Sequence, residues 1–166
     1  GGDIFKIKLR EAGLPTNNKT FRSFINFDDC IFPYVQFERP EFKAVLNWLK
    51  STTIEKTKEA LNDIDVPWGL AQYMNPDEVI VHGLEEEVLR SMKLRKGAKV
   101  KLSLVPPGTS LVGCVFIADH LHCVVDGFQF DFGTGGIHGS ISSSIVKTTS
   151  THKLIDVDVA SYYPNL

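Results

Sequence analysis

The final stretch of the chain concentrates side chains suited to metal-assisted phosphate chemistry. Asp156 and Asp158 alternate with Val157 and Val159 behind the apolar lead-in Leu154-Ile155. This is the pattern of a short strand carrying acid into a pocket. Ser161 and Pro164 break that strand, and proline sits well in the first turn of a following helix. Asp158 then offers hard anionic oxygen to a divalent cation, and the turn offers backbone N–H groups to a phosphate. Asp156, two residues earlier, falls on the same strand face one step back. Without the hydroxyl and aromatic residues that follow, the pair would read as exposed aspartates on an edge strand.

Three other groups could do chemistry. Gly133, Gly135, Gly136 and Gly139 permit close backbone approach. A phosphodiester backbone can lie against such a strip, with Thr134, His138 and Ser140 as hydrogen-bond donors, although turns and bulges account for most glycine-rich loops. His120 and His122 share a face of a strand, a geometry zinc can use. No second pair at ordinary zinc-site spacing accompanies them, which favours a half-buried strand beside a hairpin. Lys93, Arg95, Lys96, Lys99 and Lys101 form the most basic stretch, suited to a nucleic-acid backbone or to a solvated helix end and strand face.

The tail resembles motif A of family B DNA polymerases, Asp-x-x-Ser-Leu-Tyr-Pro. It stands here as Asp158-Val159-Ala160-Ser161-Tyr162-Tyr163-Pro164, with Tyr162 at the usual leucine. Upstream, Phe132-Gly133-Thr134-Gly135-Gly136-Ile137-His138 is similar to the Phe-Gly-x-Gly-Gly-x-His segment before motif A in many phage-encoded family B polymerases. Protein-primed phage polymerases carry a related Tyr-x-Gly-Gly element there, which touches the template; Gly133 replaces its tyrosine.

The resemblance implies that Asp158 is a catalytic residue and a Mg2+ ligand. It puts the backbone of Ser161, Tyr162 and Tyr163 at the incoming triphosphate, and the Tyr163 ring beneath the sugar, where it excludes a 2′-hydroxyl. It assigns Thr134, Gly135, Gly136 and His138 to the nucleic acid. The implied partners are a DNA template–primer, deoxynucleoside triphosphates and the remaining polymerase domains, in the cytoplasm of a bacterial host. Neither the second acidic motif, Tyr-x-Asp-Thr-Asp, nor a lysine-bearing fingers helix is recognisable, so the chain is expected to be inert alone. A non-enzymatic α+β module that binds nucleic acid or protein is the alternative.

Composition frames these readings. The 166 residues, 43% of them hydrophobic, suit an ordinary globular chain with no apolar run long enough to span a membrane. A net charge of −2 and a pI near 6.2 argue against a free-standing, charge-driven nucleic-acid binder, though a basic groove can be shared with further domains. Three cysteines without CxxC spacing suit buried thiols in a reducing compartment. A start at Gly1-Gly2-Asp3 and an end within the motif lead to the expectation of a piece of a longer polypeptide. Residues 1–132 would be scaffold ahead of the palm, and residues 133–166 the template-contact segment and start of the palm.

The patterning predicts the elements that must position these groups. Residues 3–10 alternate as a strand, and residues 11–27 form a loop anchored by Phe21, Phe24, Ile25 and Phe27. Residues 30–37 are strand-like but confined to an edge by Pro33. Pro40 opens a helix with the stripe Phe42, Val45, Leu46, Trp48 and Leu49, continuing more weakly through Ile54, Thr57 and Leu61 until Asp63–Pro67. Residues 68–74 are a turn or short helix, 78–82 a strand, and 84–92 an amphipathic helix led by Glu85-Glu86-Glu87 and capped by Gly97. From residue 98 the period is two: 98–105, 110–118, 120–125 and 128–132 are strands, with a hairpin turn at Asp126-Gly127. Residues 133–144 are a loop or irregular edge, and 145–149 and 153–159 two last strands. The class is α+β, with a helical middle and a β-rich C-terminal half ending in the first strand of a palm.

Overall fold

The computed structural model describes residues 2–16, 22–55, 62–133 and 136–160. Among these it has four α-helices and nine strands in three antiparallel sheets. The fold is α+β with a β-rich C-terminal half, as the patterning predicts. No described helix is long and apolar enough to cross a membrane.

The N-terminal residues expected as a strand are instead a helix, α1 (Gly2–Glu11). Over so short a run an alternating pattern and a helical one coincide, since Phe5 and Leu9 are also four apart. Local signals decide for helix: Asp3 lies in the first turn, Lys8 and Arg10 in the last, and Lys8 pairs with Glu11. Gly13, at φ +70°, closes the helix with the paired bonds Leu14 N–H to Leu9 C=O and Gly13 N–H to Arg10 C=O, a Schellman cap. The helix buries no residue.

Residues 30–37 are not a strand either. A 3-10 turn at Phe27–Cys30, capped by the Asn26 side chain, leads into irregular chain around Pro33, where Phe32 and Tyr34 stack in parallel at 5.4 Å. Strand β1 (Ile25–Asn26) lies within the segment expected as a loop and pairs with β2 (Thr53–Ile54). Between them α2 (Pro40–Lys50) starts at its N-terminal proline and buries Val45, Leu46 and Trp48. It stops earlier than its stripe suggests. The Ser51 and Thr52 hydroxyls both donate to the Trp48 carbonyl, and the β-branched run that follows prefers extended chain. Thr57 and Leu61 lie outside the described residues. The stretch expected to end the helix is itself β3 (Asn62–Val66).

Short helix α3 (Trp68–Ala71), strand β4 (Val79–His82) and helix α4 (Glu86–Ser91) fall where expected. The α4 cap is different from the predicted one. Lys93, at φ +59°, occupies the left-handed position four residues before Gly97, again with a Schellman pair to Leu89 and Arg90.

The four-stranded sheet has the order β3-β6-β4-β5, with β5 (Val100–Lys101) and β6 (Val115–His120) completing it. Period-two alternation over 98–105 overstated β5, which gives way to a 3-10 turn at Leu102–Leu104. One buried residue, Leu121, separates β6 from β7 (His122–Val125), which belongs to a three-stranded sheet of order β7-β8-β9. Asp126 and Gly127, both at positive φ, make the two-residue turn from β7 to β8 (Phe128–Gly133).

The core forms where α2 and α3 cover the two sheets, with Val45, Leu70, Val79, Val81, Leu121 and Cys123 fully buried. On β8 the aromatic face packs as its alternation predicts: Phe42 of α2 meets Phe130 at 5.2 Å and Phe132 at 6.1 Å, both edge-on. The expectation of buried thiols holds for Cys123, whose burial pushes its pKa up to about 12, but Cys30 is exposed.

The glycine-rich segment is more ordered than the expected loop. Gly136–Ser140 is β9, paired along β8. Gly139 fits closely there, since a Cβ would meet the Phe130 ring at 3.0 Å and push it aside by a few tenths of an ångström. Residues 145–149 and 153–159 are not strands. A strand needs a partner for its backbone groups, and among the described residues neither segment pairs with one.

The strained cap yields a test. Lys93→Gly removes a left-handed side-chain clash at the cost of extra unfolded-chain entropy, so stability should rise by a few tenths to about 1 kcal/mol. Urea denaturation of the two forms measures it.

Candidate functional site

The residues singled out at the C-terminus are not drawn into a pocket. Asp158 is exposed, and its Oδ1 accepts a hydrogen bond from the adjacent Val159 N–H at 2.9 Å. Asp156 is exposed as well. Around them Ile155 and Val157 are 78% and 81% exposed. Ser161, Tyr162 and Tyr163 lie outside the described residues, as do Thr134 and Gly135. Gly136 and His138 are on β9, both exposed.

The structure instead gathers a polar cluster at the corner between the two larger sheets. The strict alternation of Phe128-Gln129-Phe130-Asp131-Phe132 produces it: Phe130 and Phe132 turn to the core, so Gln129 and Asp131 must face the other way. The hairpin register sets His122 opposite Asp131 and Val124 opposite Gln129. On the far side, His138 lies opposite Asp131 and Ser140 opposite Gln129. One face of the three-stranded sheet therefore carries a row of polar groups. His120, the last residue of β6, and Glu78, at the end of the 3-10 turn Pro76–Glu78, close the cluster from the four-stranded sheet.

His122 is the anchor. Its side chain is 0% exposed, yet both ring nitrogens are satisfied. The Asn75 backbone N–H donates to Nε2 at 3.0 Å, so the proton sits on Nδ1, which lies 2.9 Å from the His120 carbonyl and donates to it. This is a neutral imidazole, and burial holds its pKa below the ordinary value. Asn75 does further work. Its side-chain oxygen caps the following turn at Asp77 N–H, and its Nδ2 donates to Gln129 Oε1 at 3.3 Å.

The outer part of the cluster is held by charge and amide bonds. His120 Nε2 lies 2.7 Å from Asp131 Oδ1, and the two histidine rings stack at 4.5 Å. The Gln129 amide donates to Asp131 Oδ1 at 3.0 Å and to Glu78 Oε2 at 2.9 Å. Burial pushes the Asp131 carboxyl up, but hydrogen bonds from Gln129 and His120 and the nearby imidazole charge outweigh it, leaving its pKa lowered. Among the described residues, Glu78, His120 and His122 can hold a metal ion, their ligand atoms lying within 4.8 Å of one another. Beside the cluster, Asn75, Gln129 and Ser140 line an open depression of about 640 Å³.

From sequence the histidine pair was visible but its partners were not. Glu78 is far away in the chain, and Asp131 looked like the polar half of an alternating strand. A usable signal did exist: a two-residue turn at Asp126-Gly127 fixes the register, and counting outward from it sets His122 against Asp131.

Comparison with protein families, with curated proteins and with solved structures finds no match to this chain.

The buried imidazole makes a pH prediction. Its folded pKa is depressed, so the unfolded chain takes up a proton that the folded chain excludes. That stability is fully present above the ordinary histidine value of 6.5 and is lost as pH falls through the lower folded value. Asp131 acts in the same direction further into acid. Urea midpoints measured from about pH 8 to about pH 5 should fall with pH, and His122→Gln should flatten the histidine part of the slope.

Proposed function

We propose that this chain is the part of a family B-type DNA polymerase that leads into the palm. The observation that carries the reading is the residue set Asp158-Val159-Ala160-Ser161-Tyr162-Tyr163-Pro164, following Gly133-Thr134-Gly135-Gly136-Ile137-His138 in the order of that family. The reaction would be template-dependent attack of a primer 3′-hydroxyl on a deoxynucleoside triphosphate, inside a bacterial cell.

Two structural features support it. Every residue of β9 is exposed, so His138, Ser140 and the glycine backbone are open to a nucleic-acid strand. The segment bearing Asp156 and Asp158 carries Leu154, Ile155, Val157 and Val159 in the open. Alternating apolar side chains of this kind are normally buried in a sheet, which fits a strand completed by the palm of further domains.

The Asp158 carboxylate suits Mg2+, being a hard oxygen donor with solvent access for the waters that ion retains. When bound in pairs, such ions stabilise the attacking and leaving oxygens of an in-line displacement. A single carboxylate does not hold two ions, so the second acidic arm must come from other parts of the polymerase, and the isolated chain would be inert. Tyr163 would supply a rigid ring beneath the sugar, selecting against a 2′-hydroxyl by steric exclusion.

The polypeptide encoded by the complete open reading frame tests this. It should extend a primed template in the presence of Mg2+. Asp158→Ala should abolish extension, and Tyr163→Ala should admit ribonucleotides. Undiminished extension by Asp158→Ala would reject the assignment.

A further inference from the structure

The cluster at the sheet corner has the makings of a metal centre independent of Asp158. Glu78 Oε2 is 3.4 Å from His122 Nε2 and 3.9 Å from His120 Nε2. A tetrahedral ion with bonds of about 2.0–2.1 Å spaces its ligand atoms by roughly 3.4 Å, so these separations need little adjustment. Asp131 Oδ1 is hydrogen-bonded to His120 Nε2 at 2.7 Å and lies beside the three. Two imidazole nitrogens with a carboxylate oxygen suit zinc rather than magnesium or calcium, which prefer an all-oxygen shell.

The hydrogen bonds around the cluster match a metal site in two ways. His122 Nδ1 donates to the His120 carbonyl, the outer bond that metal-ligating histidines usually make and that leaves Nε2 as the ligating atom. The Gln129 Nε2 group sits among acceptors that a cation would use. It donates to Glu78 Oε2 and Asp131 Oδ1 and lies 3.3 Å from His120 Nε2. Its partial positive charge takes the place of an ion. The Asn75 N–H holds the lone pair of His122 Nε2, so zinc at that nitrogen must displace this backbone bond and shift the turn at Asn75. Both are neutral donors, and Gln129 borders the open depression into which it can swing.

The geometry points to a Zn2+ site formed by Glu78, His120 and His122, with Asp131 beside them, which clamps the corner between the two sheets. Its ligands and Asp131 come from the turn before β4, the end of β6, the start of β7 and the middle of β8. An ion there ties together four segments that are otherwise joined by Leu121 and by the hydrogen bonds of the cluster. Because the unfolded chain does not assemble these ligands, bound zinc adds to folding stability.

Metal-stripped chain titrated with ZnCl2 in a calorimeter should take up one zinc per molecule, and its thermal midpoint should rise, with Mg2+ producing no such shift. Co2+ in place of zinc should give the visible absorption of a tetrahedral site. Glu78→Gln and His120→Ala should each lose stoichiometric uptake, Gln129→Ala should bind zinc more tightly by removing the competing amide, and Asp158→Ala should bind it unchanged. Circular dichroism checks that each variant is folded. Glu78, partly exposed and outside the apolar core, decides the matter if His120→Ala does not fold. Failure of the unaltered chain to take up zinc overturns the proposal, as does uptake that survives in Glu78→Gln or is lost in Asp158→Ala.

Discussion

A buried, neutral histidine holds the two main sheets in one body. The chain leaves the four-stranded sheet at His120 and enters the three-stranded sheet at His122, with only Leu121 between them. So abrupt a corner exposes backbone groups that no ladder can serve. His122 serves two of them, accepting from the Asn75 N–H and donating to the His120 carbonyl, while Leu121 fills the core. Nearby backbone bonds complete the join: Val124 N–H to Tyr73 C=O and Phe132 N–H to Leu121 C=O. An unpartnered polar group in the same place would cost about 1–3 kcal/mol, so the position requires a side chain with one donor and one acceptor.

That anchor imposes the character of each sheet face. With His122 fixed, the hairpin register sends Phe130 and Phe132 toward Phe42 and leaves Gln129 and Asp131 to the polar side. The polar side then satisfies itself, His120 with Asp131 and Gln129 with both carboxylates. No buried side-chain nitrogen or oxygen among the described residues lacks a partner. The aromatic side reaches through to β9, where the Phe130 ring lies close against Gly139 and a Cβ would crowd it at 3.0 Å. A glycine that could be taken for a ligand contact thus has a packing reason of its own, without loss of the exposed edge that the polymerase reading would use.

The C-terminal segment behaves differently from the rest. Its apolar residues are in the open and it joins no sheet among the described residues. Its alternation was readable and its pairing was not, because a strand exists only with its neighbour. The corner cluster makes the same point from the other side. His120 and His122 were visible as a pair, but Glu78 is brought in by a turn that Asn75 caps, and nothing local to the histidines announces it. The α1 helix was misread because eight residues hold too few repeats to separate a period of two from one of 3.6. Gly13, at its end, was the stronger signal.

The amino-acid sequence by itself determined the elements with strong local grammar: the proline-led α2, β4, α4 with its acidic start, and the β7–β8 hairpin at Asp126-Gly127. It also determined the motif-like order of residues on which the polymerase proposal rests. Each is encoded over a few neighbouring positions, where propensity, capping and turn chemistry act. Only the tertiary structure decided that His122 is neutral and buried, that Glu78 and Asp131 join the histidines, and that Gly139 belongs to a strand. Those outcomes depend on contacts between distant parts of the chain, whose energies appear only when burial has removed water from between them.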